Sequence, residues 1–535
     1  MSVSFSFPTR CLLLGLAIVS CLFFSPKWFS PLAVWVHFPA LLLLLRYGNR
    51  WWWLASYAGL TAASVVAQAG VFPMPLTALV PFMLVANLIA LLPFLVDRYT
   101  HARLPVWAGT LVFPVAATLL DAFAANGPQG TWGNQAYTQF PFTPLIQFTA
   151  VTGIFGVSFL YYWFAASVAA AVRPRQAIRR LLPWATVFCL VLGYGSYRML
   201  SPTPGGEEVR LAAVQLNNHE LYETMYSAAF EGTIQLPESF DQTDPLVSEV
   251  GNAMMAFMSE PEAERFQPVH RATEEFQQQL LTLCGRAAEE GAQIVSLAEG
   301  IVPTTKERAT ALRAAAARAA DQHDIVLLYA TAVFHPDKVG KADKFIENKV
   351  ITFGPNGEVL NEYFKNIPVM GIEPSFPGDG SVPAVATPFG TISPLICYDA
   401  DHPQLVAQTS SNGTGLMVVP TGDWSAIAPF HTYMAAVRCI ENGVGMLKST
   451  NQGLSAIINS RGELVESANL GAEQHVLHGM LPLRSIRTPY AQTAPLFLVL
   501  LRGLLVCLVV LLVVGWVRDR SRRSVSPPLT EGSVG

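Results

Sequence analysis

Thr391-Ile-Ser-Pro-Leu-Ile-Cys-Tyr-Asp-Ala400 is an apolar run that ends in a cysteine, followed at once by Tyr398 and Asp399. The pattern predicts a strand that delivers Cys397 to a sharp turn at the edge of a sheet. A lone cysteine in such a strand is more often a small buried hydrophobe. A thiol becomes a nucleophile only when a neighbouring base or cation draws off its proton. Two candidates lie at the ends of other predicted strands: Glu299 closes Ile294-Val-Ser-Leu-Ala-Glu299, and Lys365 closes Glu362-Tyr-Phe-Lys365.

Around these stretches the chain divides by composition. Of its 535 residues 51% are hydrophobic and only 13% charged, which argues against a purely soluble protein. Apolar residues crowd positions 11–200 and 494–517, whereas most acidic residues lie between 207 and 475. A net charge of −4 gives no case for nucleic acid. The seven cysteines are scattered, odd in number and free of Cys-x-x-Cys or Cys/His spacing, so neither a disulfide framework nor a metal site is expected.

A membrane helix needs about 20 mostly apolar residues. Seven segments before the water-facing region qualify, near 10–25, 30–46, 51–71, 75–96, 104–124, 143–171 and 180–199, and an eighth spans 494–517. Alternate loops carry the positive charge: Arg46 and Arg50, Arg98 and Arg103, Arg173, Arg175, Arg179 and Arg180, then Arg518, Arg520, Arg522 and Arg523. The other loops have little, Lys27 in 25–31 and none in 121–142. The positive-inside rule then puts both termini in the cytoplasm and residues 200–493 outside. The expected organisation is a membrane bundle over 1–200, a catalytic domain over 207–485, a C-terminal transmembrane helix over 494–517 and a cytoplasmic tail over 518–535. In the loop 125–142, Trp132, Tyr137, Phe140 and Phe142 suit a membrane interface or the lining of a lipid access route.

Within the water-facing region, Val209–Leu216 alternates like a strand. Leu246, Val250, Met254, Phe257 and Met258 then share one helical face, which is either core packing or a lipid-contacting stripe; the second reading is the expectation adopted. Helices are predicted over 271–290, 305–320 and 428–442. Strands are predicted over 324–334, 347–353, 358–364, 389–397, 415–420, 444–450 and 454–459, with Pro355-Asn-Gly357 turning a hairpin. Strands alternating with helices indicate a layered α/β domain.

Glu, Lys and Cys in this order, each at a strand end, resemble the nitrilase (carbon-nitrogen hydrolase) superfamily. With membrane segments on both flanks, the chain resembles the apolipoprotein N-acyltransferase family over nearly its whole length. The most specific pieces are Thr387-Pro-Phe-Gly-Thr-Ile-Ser-Pro-Leu-Ile-Cys-Tyr-Asp399, Asp423-Trp424 with His431 and Arg438, Ser449-Thr-Asn-Gln-Gly453 and Gly153-Ile-Phe-Gly-Val-Ser-Phe159. The resemblance implies a multi-pass α-helical membrane bundle joined to an α/β, nitrilase-like αββα sandwich. It makes Cys397 the nucleophile, Glu299 the base and Lys365 the oxyanion stabiliser, with Glu373, Tyr398, Asp399, Trp424 and Trp132 as supporting or substrate-binding residues. It implies a phospholipid acyl donor, a diacylglyceryl apolipoprotein acceptor, no cofactor, a monomer, and the inner membrane of a bacterium with the catalytic domain in the periplasm. Asp399 stands where the family usually has Glu, Thr224 where it tends to have Trp, and 217–270 is longer than the family pattern. A membrane-tethered amidase or nitrilase acting on a small amide, and a non-catalytic scaffold, remain alternatives. An intact triad and few ionisable residues in the spans speak against the scaffold.

Overall fold

The computed structural model describes residues 5–172, 177–202, 205–230, 232–237, 245–469, 475–493 and 496–524. Arg173 and Arg175 of the charge pattern, and the last eleven residues of the tail, lie outside that set. The water-facing region is a sandwich of two sheets. The first runs Val476–Pro482, Glu208–Val214, Ile294–Leu297, Val326–Phe334, Ile346–Phe353, Val359–Phe364, with Val302–Thr305 paired to Val326–Phe334. The second runs Leu464–Asn469, Leu454–Ile458, Gly445–Asn451, Leu416–Gly422, Gly390–Pro394, Val385–Thr387.

Leu, Ile and Val from the inner faces of both sheets form one continuous core. Helices Gln267–Glu289 and Lys306–His323 cover the first sheet, and Phe430–Asn442 covers the second, giving the αββα layering. The strand Val476–Pro482 has no counterpart in the predicted set. It pairs antiparallel with Glu208–Val214 and so brings the two ends of the domain together. The hairpin turn is as expected: Gly357 adopts φ +72°, where a Cβ would sit 2.6 Å from the Ala317 carbonyl oxygen.

All eight expected membrane segments contain helix. Among the described residues four helices are long and apolar enough to cross a membrane: Leu76–Arg103, Val106–Ala124, Ala177–Leu200 and Leu496–Arg518. Phe7–Leu22 and Ala33–Tyr47 are apolar but shorter. The segment expected as one span at 143–171 is instead a broken pair, Thr143–Thr152 and Ile154–Ala170, bent by 117°. The break is at Gly153, with φ +66°, where a Cβ would lie 2.6 Å from the Tyr490 ring. Arg46 is not a free loop charge. It is buried and clamps Asp97 through two hydrogen bonds of 2.7 and 2.8 Å.

Part of the loop 125–142 is taken up by packing against the catalytic domain. Tyr137 is buried and accepts a 2.7 Å hydrogen bond from Arg438, and Phe140 stacks on Tyr433. The loop is the seat on which the helix Phe430–Asn442 rests, with Phe430, Met434, Val437 and Ile440 completing the core of the bundle. At the same seam Arg438 pairs with Glu441 at 2.9 Å, and Glu441 caps the N–H of Ile154 just after the bend.

The stripe on Pro245–Ser259 also departs from the expectation adopted. Phe257 and Met258 are 2% and 4% exposed, packed with Leu221, Met225, Phe266, Phe334 and Phe345. Helix His219–Phe230 and the end of Val326–Phe334 cover Phe257 and Met258, while Leu246 and Met254 are half-buried. Phe257→Ala is therefore expected to destabilise the domain by about 3–5 kcal/mol, seen as a clear fall in its unfolding midpoint. An unchanged midpoint would return the stripe to a surface role.

Candidate active site

Three strand ends converge to make the site. Parallel pairing across the first sheet carries Ile294–Leu297 to Glu299, whose N–H meets the Thr421 carbonyl at 3.4 Å. The hairpin carries Val359–Phe364 to Lys365, whose N–H donates to Asn348 O at 2.9 Å. Gly390–Pro394 stops three residues before Cys397, earlier than the predicted strand. Leu395 still bonds to Val418 O, and the chain then turns so sharply that Cys397 adopts φ +46°. A side-chain-bearing residue in the left-handed region costs about 1–3 kcal/mol and persists where the surroundings enforce it.

Asp399 is what enforces it here. Its carboxylate accepts from Ile396 N–H (3.1 Å), Ile367 N–H (2.9 Å) and the Tyr363 hydroxyl (2.7 Å). It thereby ties the cysteine turn to the loop after Lys365. Burial pushes the Asp399 carboxyl up to about 6, with the Tyr363 hydrogen bond pulling it back.

Lys365 is fully buried and its ammonium donates to Glu299 Oε1 at 2.8 Å and Glu373 Oε1 at 2.6 Å. Burial works against its charge, but the carboxylates of Glu299 and Glu373 outweigh it and hold the pKa well above that of an ordinary lysine. Glu299 also accepts from Asn348 Nδ2 at 2.7 Å and from Gly422 N–H at 2.8 Å. Glu373 accepts from Val369 N–H at 2.8 Å, and burial raises its pKa against the pull of Lys365. The Cys397 thiol donates weakly to Gly422 O at 3.8 Å. Burial, followed by the Glu299 carboxylate, pushes the thiol well above its usual range, while Lys365 pulls it down. The arrangement thus favours a neutral Cys397 thiol beside an ammonium held by two carboxylates.

The remaining expected residues divide. Trp132 packs edge-on against the His431 ring, centroids 5.9 Å apart. Trp424 donates from Nε1 to Gly70 O at 2.9 Å, and the Tyr398 hydroxyl donates to Pro128 O at 3.2 Å, so both tie the domain to the bundle.

Residue-by-residue reading missed the layer behind the thiol. Asp423 accepts from His431 Nδ1 at 2.6 Å and from Lys448 Nζ at 3.1 Å, and His431 Nε2 lies 3.5 Å from Asp401. Thr131 in the bundle loop in turn donates to Asp401 O at 2.8 Å. The adjacency of Asp423-Trp424 to His431 was the available signal. Cys397, Asp423 and His431 offer donor atoms within 4.8 Å of one another, types a zinc ion accepts, but the Lys448 ammonium on Asp423 opposes a cation there.

Burial lowers the His431 pKa, yet Asp423 and Asp401 overcome it and raise it from 6.5 to about 9. Asp423 falls to about 2, burial opposing and Lys448 and His431 prevailing. His431 therefore contributes stability that is complete below pH 6.5 and lost as pH rises through about 9. Asp423 contributes stability complete above pH 3.8 and lost as pH falls through about 2. The melting temperature is expected to drop between neutral pH and the pH where His431 discharges, and His431→Gln to flatten that drop. An equally steep drop in the variant would show that other groups govern it.

Residues 259–488 match the carbon-nitrogen hydrolase family. These residues are a carbon-nitrogen hydrolase domain. The match begins after most of the 217–270 segment, and Glu208–Val214, which lies outside it, completes the sheet by pairing with Val476–Pro482 inside it. The chain is 27% identical over 372 residues to the apolipoprotein N-acyltransferase of Allorhizobium ampelinum, covering 66% of this chain and 63% of that one. It is 25% identical over 484 residues to the apolipoprotein N-acyltransferase of Geobacter metallireducens, covering 84% of each. The first alignment thus spans less than two thirds of the relative's length, and the second most of it. Nit3 of Saccharomyces cerevisiae, a member of branch 10 of the nitrilase superfamily, aligns with 55% of this chain and 98% of its own at 18% identity and a TM-score of 0.37.

Proposed function

We propose that the protein is an acyltransferase that moves an acyl chain from a phospholipid, through a thioester on Cys397, to the N-terminal amine of the lipidated cysteine of an apolipoprotein. The observation that carries this reading is the buried Lys365, clamped between Glu299 and Glu373 beside a thiol held in a strained turn, at the seam with an apolar helical bundle. As the Cys397 sulfur attacks the donor ester, Glu299 takes the thiol proton. The tetrahedral oxyanion faces the Lys365 ammonium. Collapse expels the lysophospholipid alkoxide, which receives the proton from Glu299. The amine then attacks the thioester, Glu299 removes its proton, and that proton returns to the departing thiolate. Glu373 shares Lys365 and keeps it charged. The ester already carries the needed group-transfer potential, so the scheme draws on no nucleotide, and its two half-reactions give ping-pong kinetics.

Mass spectrometry of lipoprotein N-termini from cells with and without the protein tests the reading. Loss of the N-linked acyl chain in its absence supports it. Unchanged N-termini, together with release of ammonia or free fatty acid by the purified protein, would replace it with amide or ester hydrolysis.

The scheme includes an orientation, with the 207–485 domain in the periplasm of a bacterial inner membrane, both termini cytoplasmic, and a monomer as the working unit. The charge pattern of the loops supports the orientation. A reporter fused after Gly535 is expected to be active only in the cytoplasm, and one inserted near Gly206 only outside. A C-terminal fusion active outside the cell would reverse the assignment.

A further inference from the structure

The layer behind the thiol holds two carboxylates, Asp423 and Asp401, and two basic groups, His431 and Lys448, all of them buried. Donor atoms of Asp423 and His431 lie within 4.8 Å of the Cys397 sulfur. Asp423 is held in place by its surroundings. Its N–H donates to Asn451 O at 2.9 Å, and the turn beyond Asn451 comes so close that a Cβ at Gly453 would sit 2.7 Å from the Asp423 Cβ. His431 is held as firmly. Its N–H donates to Ile427 O at 3.0 Å, and Trp132 of the bundle loop packs edge-on against its ring.

Both nitrogens of the ring face acid. Nδ1 is 2.6 Å from Asp423 Oδ1, and Nε2 is 3.5 Å from Asp401 Oδ2. Among the described residues, neither Nε2 nor Asp401 Oδ2 has a hydrogen-bond partner. A neutral imidazole would turn a lone pair toward one of the two carboxylates, whereas the imidazolium attracts both. The ring is therefore a cation at neutral pH, in keeping with its pKa of about 9. No neighbouring charge replaces it. Lys448 bonds the other Asp423 oxygen and shares its ammonium with Thr450 at 3.1 Å. Arg438, on the same helix, pairs with Glu441, and burial lowers the pKa of His402. Lys365 is held by Glu299 and Glu373. With His431 charged, two cations balance Asp423 and Asp401; with it neutral, one negative charge is left in excess beside the sulfur. Asp423 already acts to raise the thiol pKa, so that excess opposes the thiolate.

We infer that His431 is a positioning residue for the nucleophile: it acts through Asp423, whose carboxylate it orients and neutralises beside Cys397, and so eases formation of the thiolate. Lys365 then serves the oxyanion, while His431 balances the charge next to the sulfur. The same balance favours departure of the thiolate from the thioester; that last step rests on the proposed acyl transfer, whereas the effect on the free thiol does not.

The test uses the full-length protein in lipid nanodiscs, iodoacetamide as the probe, and the carbamidomethyl mass on the Cys397 peptide as the readout. His431→Gln is expected to slow alkylation at neutral pH by roughly tenfold, the factor that one pH unit in the thiol's titration carries. Adding Asp423→Asn to the same chain removes the excess negative charge and is expected to restore most of that loss, which a merely structural role for His431 would not do. In the unsubstituted protein the rate should climb by about tenfold per pH unit, flatten as His431 discharges at about pH 9, and then climb again. In His431→Gln the climb should lack that step. An unchanged rate in His431→Gln, or a double variant no faster than His431→Gln, would overturn the role. Should the variants fail to fold, the profile of the unsubstituted protein decides, and a straight climb through that pH overturns the role as well. Unsubstituted protein that gains no acyl group from phospholipid, yet shows the expected alkylation pattern, would overturn the proposed acyl transfer and leave the role of His431 at the thiol standing.

Discussion

Cys397→Ala is expected to abolish both products of the first half-reaction, the acylated protein and the lysophospholipid. The order of events requires the acyl group to rest on the sulfur before an amine arrives. Unsubstituted protein given phospholipid and no acceptor should therefore gain one acyl mass on the peptide containing Cys397, and hydroxylamine should remove it. Burial and the Glu299 carboxylate raise the thiol's pKa, which favours the neutral form before substrate binds. The thioester should accordingly form only with a bound ester in place, and a small alkylating agent should react slowly with the free enzyme. Continued acyl transfer by Cys397→Ala, or phospholipid consumption with no thioester to trap, would end the thioester reading.

Glu299→Gln and Lys365→Ala should each slow acylation of Cys397 severely, for different reasons. The amide of Gln keeps the shape and can still meet the Gly422 N–H, but it cannot accept the thiol proton; removing a general base costs roughly 10²–10⁴-fold. Lys365→Ala removes the oxyanion partner, a loss of roughly 10²–10³-fold. It also leaves Glu299 and Glu373 facing each other without the cation that both contact. Two carboxylates in that position share a proton, so Lys365→Ala should shift the pH dependence of the residual activity upward, whereas Glu299→Gln should remove a carboxylate from it. The diagnostic measurement is single-turnover acylation across pH. Near-normal rates in either variant would remove that residue from the proposed triad.

The parts of this arrangement differed in how visible they were beforehand. The runs ending at Glu299, Lys365 and Cys397 could be read because each is short, apolar and followed by a polar residue, a one-dimensional pattern. The strand Val476–Pro482 could not, since Val476-Leu-His-Gly-Met-Leu-Pro482 alternates poorly and gains its pairing only from Glu208–Val214, far away in sequence. The Met and Phe stripe on Pro245–Ser259 was visible as a face, but whether lipid or protein covers a face depends on what packs there, and Phe334 and Phe345 do. The segment 143–171 looked like one span because hydropathy does not register direction. The bend at Gly153 depends on the Tyr490 ring behind it and on Glu441 capping the next helix.

By itself the sequence determined what hydropathy, charge and strand ends can carry: apolar helices on both flanks of an α/β domain, and three candidate catalytic side chains each at the end of a strand. Only the tertiary structure decided how those side chains meet. Lys365 lies between two carboxylates because three strand ends from two sheets face one another, and Asp399 locks the cysteine turn to the lysine loop through hydrogen bonds to residues over thirty positions away. It also decided that the loop 125–142 is a docking seat and that Asp423, His431, Lys448 and Asp401 form one buried network. The physical reason is that the cost of burying a charge is met only by a partner at hydrogen-bond distance, and such partners are set by packing between segments distant in the chain.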